Sequence, residues 1–304
     1  MTPGNETVGG EGHRGRFTEF RLMKPRKFVI LATQRTGSTV IALWLNNHPQ
    51  VRCHSEVFYL HRYKAHDGMP HFCLDHPLRK WLYRLCVNRI GFKIPVNFVL
   101  DRLIDQFLDS LYNNPAHSAP WTDTTNWLEY HPRTGANLER AVGFKVMYTQ
   151  LHQIRRLDRL IHKRNISVIH LIRENLLKIH VSSVRKRLTG QAHTSGTVKR
   201  PQVTLNVVDL VGHIERLQKR IDVYRERYKR LPYIEVTYEQ FLTDLPAFKN
   251  IVLDFLGIDD VDIPMPPLKR ISSGELRNEI TNYGEVEEAL SGTPYEKYLL
   301  PASA

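Results

Sequence analysis

Lys27-Phe28-Val29-Ile30-Leu31-Ala32-Thr33-Gln34-Arg35-Thr36-Gly37-Ser38-Thr39 is the stretch on which the fold turns. Its first six residues are a short apolar run of the kind that forms a strand buried on both faces of a parallel sheet. A polar turn follows. Residues 39–46 then predict a helix, ended by Asn47-His48-Pro49. A loop leading from a buried strand into a helix start is an anion site, because the first-turn amides lack intrahelical partners and the helix dipole is positive there. Gly37 lets the backbone approach a bound oxyanion, while Arg35, Thr36, Ser38 and Thr39 offer a cation and three hydroxyls.

The same grammar recurs downstream. Residues 141–148, the strongly apolar 166–172 and 233–238 predict strands. Residues 151–163, 176–188 and 248–256 predict helices, the last stopped by Gly257. Val207, Leu210, Val211, Ile214, Leu217, Ile221, Tyr224 and Tyr228 keep helical spacing and predict one long amphipathic helix. Alternation of strand and helix implies βαβ crossovers: an α/β, P-loop-like three-layer fold with a central parallel sheet and helices on both faces, the sheet continuing to the end of the chain.

Two regions break the pattern. Residues 1–24, with four glycines before Arg14 and no periodicity, are expected to be a loose extension ahead of a single domain at 25–304. Residues 59–140 are rich in aromatics, histidines and prolines, with one helical stretch at 96–112. They are expected to form a mainly helical insertion over the active face, where α/β proteins place substrate specificity, with the aromatics of 81–127 serving either as the acceptor surface or as core. No internal repeat of 20 to 50 residues is visible.

Composition narrows the classes. With 41% apolar and 24% charged residues the chain is a folded globular protein rather than a tail or fibre. A formal charge of +12 favours an anionic partner. Cys53, Cys73 and Cys86 form no CxxC pair, which speaks against a disulfide framework and for a reducing compartment. No run reaches the length of a membrane span and residues 1–16 lack the apolar centre of a signal peptide, so a cytoplasmic protein is expected. His61, His66, His71 and His76, with Cys73 and Asp75 among them, raise a zinc site, but a five-residue period does not align on one helix face and no metal is expected.

Against a nucleoside-triphosphatase loop, G-x-x-x-x-G-K-[ST], this stretch has Ala32 at the first glycine and Ser38 at the lysine. The strand that would carry a magnesium-binding aspartate leads into Arg173 instead, which binds an anion directly and repels a metal. A nucleotide kinase or other P-loop phosphotransferase is therefore the second reading. A non-enzymatic nucleic-acid binder resting on net charge is the third, with no aromatic-basic RNA motif or helix-turn-helix pattern behind it.

Residues 32–39 resemble the 5′-phosphosulfate loop of sulfotransferases that use 3′-phosphoadenosine-5′-phosphosulfate (PAPS). His170-Leu171-Ile172-Arg173, running on to Ser182, is similar to the arginine and serine with which that family grips the donor's 3′-phosphate. Val142-Gly143-Phe144-Lys145-Val146-Met147-Tyr148, Leu188-Thr189-Gly190-Gln191, Glu235-Val236-Thr237-Tyr238-Glu239 and the tail at 269–299 resemble the bacterial branch with the nodulation-factor and trehalose sulfotransferases. The resemblance implies sulfuryl transfer to a hydroxyl of a carbohydrate or glycolipid, leaving 3′-phosphoadenosine-5′-phosphate (PAP), with peripheral association with a lipid-linked acceptor possible. It places Gln34, Arg35, Thr36, Gly37, Ser38 and Thr39 at the donor's 5′ end, and Arg173 with Ser182 at the 3′-phosphate, with Ser183 as the substitute for Ser182. Arg270 and Ser272 are further candidates for the 3′-phosphate. It makes Glu56 the candidate base, with His54 as runner-up. Arg35 and Lys145 are the cations for charge developing in the transition state. Sulfate carries one charge fewer than a terminal phosphate, so an in-line displacement needs less neutralisation than a magnesium-dependent kinase provides.

Overall fold

The structure, a computed structural model, describes residues 24–58, 72, 95–113, 139–190, 201–266 and 275–300. Five strands, β1 (Arg26–Ala32), β2 (Val51–His54), β3 (Ala141–Met147), β4 (Ser167–Ile172) and β5 (Tyr233–Thr237), form one parallel sheet in the order β2-β3-β1-β4-β5. The helices are α1 (Ser38–Asn46), α2 (Pro95–Asn113), α3 (Tyr148–Gln153), α4 (Arg155–Lys163), α5 (Leu176–Thr189), α6 (Leu210–Tyr228), α7 (Tyr238–Thr243), α8 (Leu245–Leu256) and α9 (Tyr283–Leu290).

β1 is central because both of its faces find apolar partners. Val29 and Leu31 join Val142, Phe144, Val146 and Val168 in a core covered by residues of α2, α4, α5 and α6. Phe28, Ile30 and Ala32 join Ile169, Leu171 and Val236 in a second core covered by α1, α7 and α8. Alternate residues of each strand thus serve opposite layers, as strand geometry demands. At Gly143 the space a side chain would fill is taken by the Phe28 ring, 2.6 Å from where a Cβ would stand.

β1 connects leftward to β2 and its neighbour β4 connects rightward to β5. A crevice opens where two adjacent strands diverge in this way, outside their carboxyl ends. The Gln34–Thr39 turn leaves β1 and Arg173 leaves β4 on the two sides of that crevice.

Several expectations are corrected. The sheet does not continue to the end of the chain: among the described residues no strand follows β5, and the tail is helical apart from an isolated Val203–Ile280 bridge. The helix expected at 151–163 is two helices, broken where Ile154 leaves helical geometry, and the first starts earlier, at Tyr148. The long amphipathic helix begins at Leu210 rather than 207, and α8 begins at Leu245, where Asp244 caps it by accepting the Ala247 N–H. β2 was not expected. A helix is present where 96–112 predicted one, as α2, with Ile104, Phe107, Leu108 and Leu111 buried in the core beside β3; most of 59–140, and residues 1–23, lie outside the described residues. Among the described residues no helix is long and apolar enough to cross a membrane.

Candidate active site

The loop after β1 turns on two left-handed residues, Arg35 at φ 69° and Gly37 at φ 82°. Gly37 is suited to that region; Arg35 is not, and a non-glycine residue held there stores on the order of 1 kcal/mol. The loop is braced from inside. Thr36 is buried and its hydroxyl donates to the Thr33 carbonyl at 2.9 Å, while Gln34 Nε2 donates to Thr149 Oγ1 at 2.7 Å. Ser38 is buried at the first turn of α1.

From this turn Arg35 reaches α5, where its Nε donates to Ser182 Oγ at 2.8 Å. Arg173 reaches back and donates from Nη1 to the Arg35 carbonyl at 3.2 Å. Burial, and then the guanidiniums of Arg173 and Arg185, depress the Arg35 pKa, which marks a crowded cationic pocket. Arg185 lies on the same helix and is tied to Glu279 at 2.9 Å. Ser183, the alternative to Ser182, donates instead to the Ile179 carbonyl one turn back along its own helix, at 2.9 Å. The strand-end arginine and the helix serine therefore meet the loop, in one place.

Two residues after β5 hold this junction. The Tyr238 ring lies against Gly37, whose Cβ, if present, would stand 2.3 Å from the ring, and Arg173 sits 5.4 Å from the ring centroid. Glu239 accepts the Glu174 N–H at 3.0 Å and lies 3.9 Å from Arg173 Nε. Tyr238 thus packs against both the loop and the arginine, and Glu239 fixes the turn from which the arginine springs.

A second cluster stands at the end of β3. Lys145 points to the α1 layer, almost fully buried, and donates from Nζ to Thr39 Oγ1 at 2.8 Å. It lies 3.1 Å from Glu56 Oε1, and Gln150 Nε2 donates to Glu56 Oε2 at 2.9 Å. His54 pairs with Phe144 in the sheet register, so its side chain faces the opposite layer from Lys145. Glu56, Lys145 and Thr39 come together, and His54 does not join them.

Arg270 and Ser272 lie outside the described residues, as do His61, His66, His71, His76, Cys73 and Asp75. Of the aromatic-rich 81–127 only α2 is described, and its Phe107 and Tyr112 are buried in the core. Among the described residues no three His, Cys, Asp or Glu side chains form a group that could hold a metal ion. Gln150 and Arg185 escaped the sequence reading. The signal for Arg185 was its place one turn beyond Ser182, and for Gln150 its place three residues past the end of a strand, where helix caps fall.

The chain matches the Sulfotransferase family over residues 26–262. No curated protein matches it. Its fold is similar to that of a sulfotransferase from Alicyclobacillus acidocaldarius, at 14% identity and TM-score 0.40, covering 90% of this chain and 98% of that one. It is also similar to a mouse sulfotransferase complexed with PAP, at 11% identity and TM-score 0.39, covering 91% and 87%. A sulfotransferase from Mycobacterium tuberculosis is similar at 14% identity and TM-score 0.35, covering 88% and 78%. The family match spans well over half of the sequence, from the start of β1 to beyond α8. The chain belongs to the sulfotransferase family.

Proposed function

We propose that the protein moves a sulfuryl group from PAPS to a hydroxyl of a carbohydrate or glycolipid by in-line displacement without a metal. The observation that carries the reading is the convergence of the β1 loop, Arg173 and Ser182 through Arg35. A donor with phosphate groups at two ends needs cations and N–H donors at two linked points, and this junction supplies them. In this reading the loop amides of Gly37, Ser38 and Thr39 hold the 5′ phosphosulfate, with Gln34 and Thr36 keeping the loop in shape. Arg173 and Ser182 take the 3′-phosphate, with Arg270 and Ser272 as further contributors. Arg35 stands between the two ends, and donor binding recruits its guanidinium from Ser182.

In the reaction the bond from sulfur to the donor's bridging oxygen breaks, and one from sulfur to the acceptor oxygen forms. Charge builds on the bridging oxygen, and Arg35 and the loop amides stabilise it. Lys145, carried at the loop's edge by Thr39, serves the transferred sulfuryl group. Glu56 takes the acceptor proton. The cationic pocket supplies the neutralisation that a magnesium ion gives a kinase, and Arg173 occupies the place of the metal-binding aspartate.

Calorimetry with PAP tests the donor site. The wild type should bind, and Arg173→Ala should bind at least about tenfold more weakly, the scale of one lost hydrogen bond to a charged group. Absence of wild-type binding would sink the proposal. Glu56→Gln should lower kcat by about 100-fold or more while PAP affinity holds. Near-normal turnover would remove Glu56 from the role. A panel of hydroxyl acceptors followed by mass spectrometry for one added SO3 decides the acceptor class, and transfer to phenols or sterols in preference to sugars would overturn that part.

A further inference from the structure

We infer that Gln150 is a positioning residue that holds Glu56 in place for proton abstraction; this rests on Glu56 being the base. Glu56 follows β2 between the buried Ser55 and Val57, which hold its backbone but make no contact that orients the carboxylate itself. The grip comes from elsewhere. Gln150, buried in the first turn of α3, uses both ends of its amide: Oε1 accepts the Met147 N–H at 2.9 Å, and Nε2 donates to Glu56 Oε2 at 2.9 Å. Because the backbone N–H dictates which end is oxygen, the end turned to Glu56 is the NH2 group. Lys145 engages the other oxygen, Oε1, at 3.1 Å, and is itself anchored on Thr39 of α1. The carboxylate is therefore clamped at each oxygen by a side chain from the β3–α3 junction. A carboxylate has about four lone-pair positions, so two remain for an acceptor hydroxyl.

Lys145 is the charged group against Glu56 among the described residues. Gln34, from the donor loop, bonds Thr149, the residue before Gln150. The donor loop and the clamp on the base thus share one short helix start. That adjacency sets the carboxylate relative to the donor, which an in-line reaction requires to within a fraction of an ångström.

A bland role also exists, since a Gln reaching back to the residue before its helix is half of a capping box. Gln150→Glu separates the two, because glutamate caps that position as well as glutamine does. As a cap alone, the substitution is silent. As the clamp on Glu56, it sets two carboxylates against each other, and such pairs share a proton. We expect the acid limb of the kcat/KM pH profile to move up by about one unit or more and kcat at neutral pH to fall about tenfold, with PAP affinity unchanged within about twofold. Gln150→Ala, which removes the clamp without adding charge, should lower kcat with the acid limb in place. Should Gln150→Glu retain the wild-type kcat and pH profile while Glu56→Gln is inactive, Gln150 is only a cap and the inference is overturned. Should Glu56→Gln remain active, the base assignment fails first and the clamp falls with it. Loss of PAP affinity matching the loss of kcat would also overturn it, by showing a general collapse of the loop.

Discussion

Gly37 answers two demands at once: a left-handed backbone and room for the Tyr238 ring. Gly37→Ala meets neither. The strain of a left-handed alanine is on the order of 1 kcal/mol, and the ring collision adds to it. We expect denaturant unfolding to show a loss of about 2 kcal/mol or more, with PAP binding weakened at least about tenfold as the ring presses on Arg173. Tyr238→Ala in the same chain should restore part of the stability but not the binding, a coupling that a double-mutant cycle measures. If the two losses simply add, the ring is not the obstacle. The glycine was legible in the sequence because a strand-to-helix turn with a bound anion demands one. Its partner Tyr238 was not: nothing local announces that a residue two hundred positions away will lie on that turn. Only the pairing of β4 with β5 brings Tyr238 there.

At the scale of elements, apolar runs revealed β1, β3, β4 and β5, because strands buried on both faces cannot hide their composition. β2 escaped since Val51-Arg52-Cys53-His54 is four residues long and half polar, and its burial comes from tertiary partners, β3 beside it and α1 over Val51 and Cys53. The break at Ile154 was equally invisible, as both flanking segments have helical spacing. The β4–β5–α6 contact carries a polar relay with its own pH signature. His170 is fully buried, with Nδ1 2.7 Å from the Tyr233 hydroxyl and Nε2 on Tyr148; Tyr233 donates to Glu235 at 2.9 Å, and Arg225 grips Glu235 with two bonds of 2.8 Å. Burial works to raise the Glu235 pKa, but the hydrogen bonds from His170, Arg225 and Tyr233 outweigh it and hold it well below the usual carboxylate range. Burial lowers the His170 pKa against the pull of Glu235. Both shifts have one consequence. In each case the unfolded chain takes up a proton before the folded one does, His170 below its ordinary 6.5 and Glu235 below its ordinary 4.5. Stability is therefore complete above about pH 6.5 and declines as the pH falls, by up to about 1.4 kcal/mol per pH unit for each proton involved. Urea titrations from pH 7 to 3 on wild type and Glu235→Gln check this: the variant should be weaker at pH 7 and show a shallower decline below about 4.5. Parallel curves would remove Glu235 from the linkage.

On the scale of the whole molecule, a net charge of +12 acts on encounter more than on the bound state. Surface charges are screened over a Debye length of about 8 Å at physiological salt, whereas the buried Arg173 and the half-buried Arg35 are screened much less. Stopped-flow binding of PAP between low and high salt should show an association rate falling about tenfold or more and a dissociation rate nearly constant. A salt effect confined to dissociation would mean that the contacts inside the pocket, not the field outside, carry the dependence.

The strand order that opens the crevice also dictates a schedule of synthesis. β1 is made first and its last five residues are apolar and buried, yet its partners are β3 and β4: Arg26 pairs with Ala141, and Phe28 with Ser167. At translation rates of about 5–20 residues per second, β1 waits on the order of ten seconds after leaving the ribosome before either neighbour exists. During that interval its hydrogen-bonding edges and apolar side chains are open to other nascent chains. The arrangement that puts the donor loop at the centre of the sheet is therefore also the one that leaves its strand waiting longest for partners while the chain is being made.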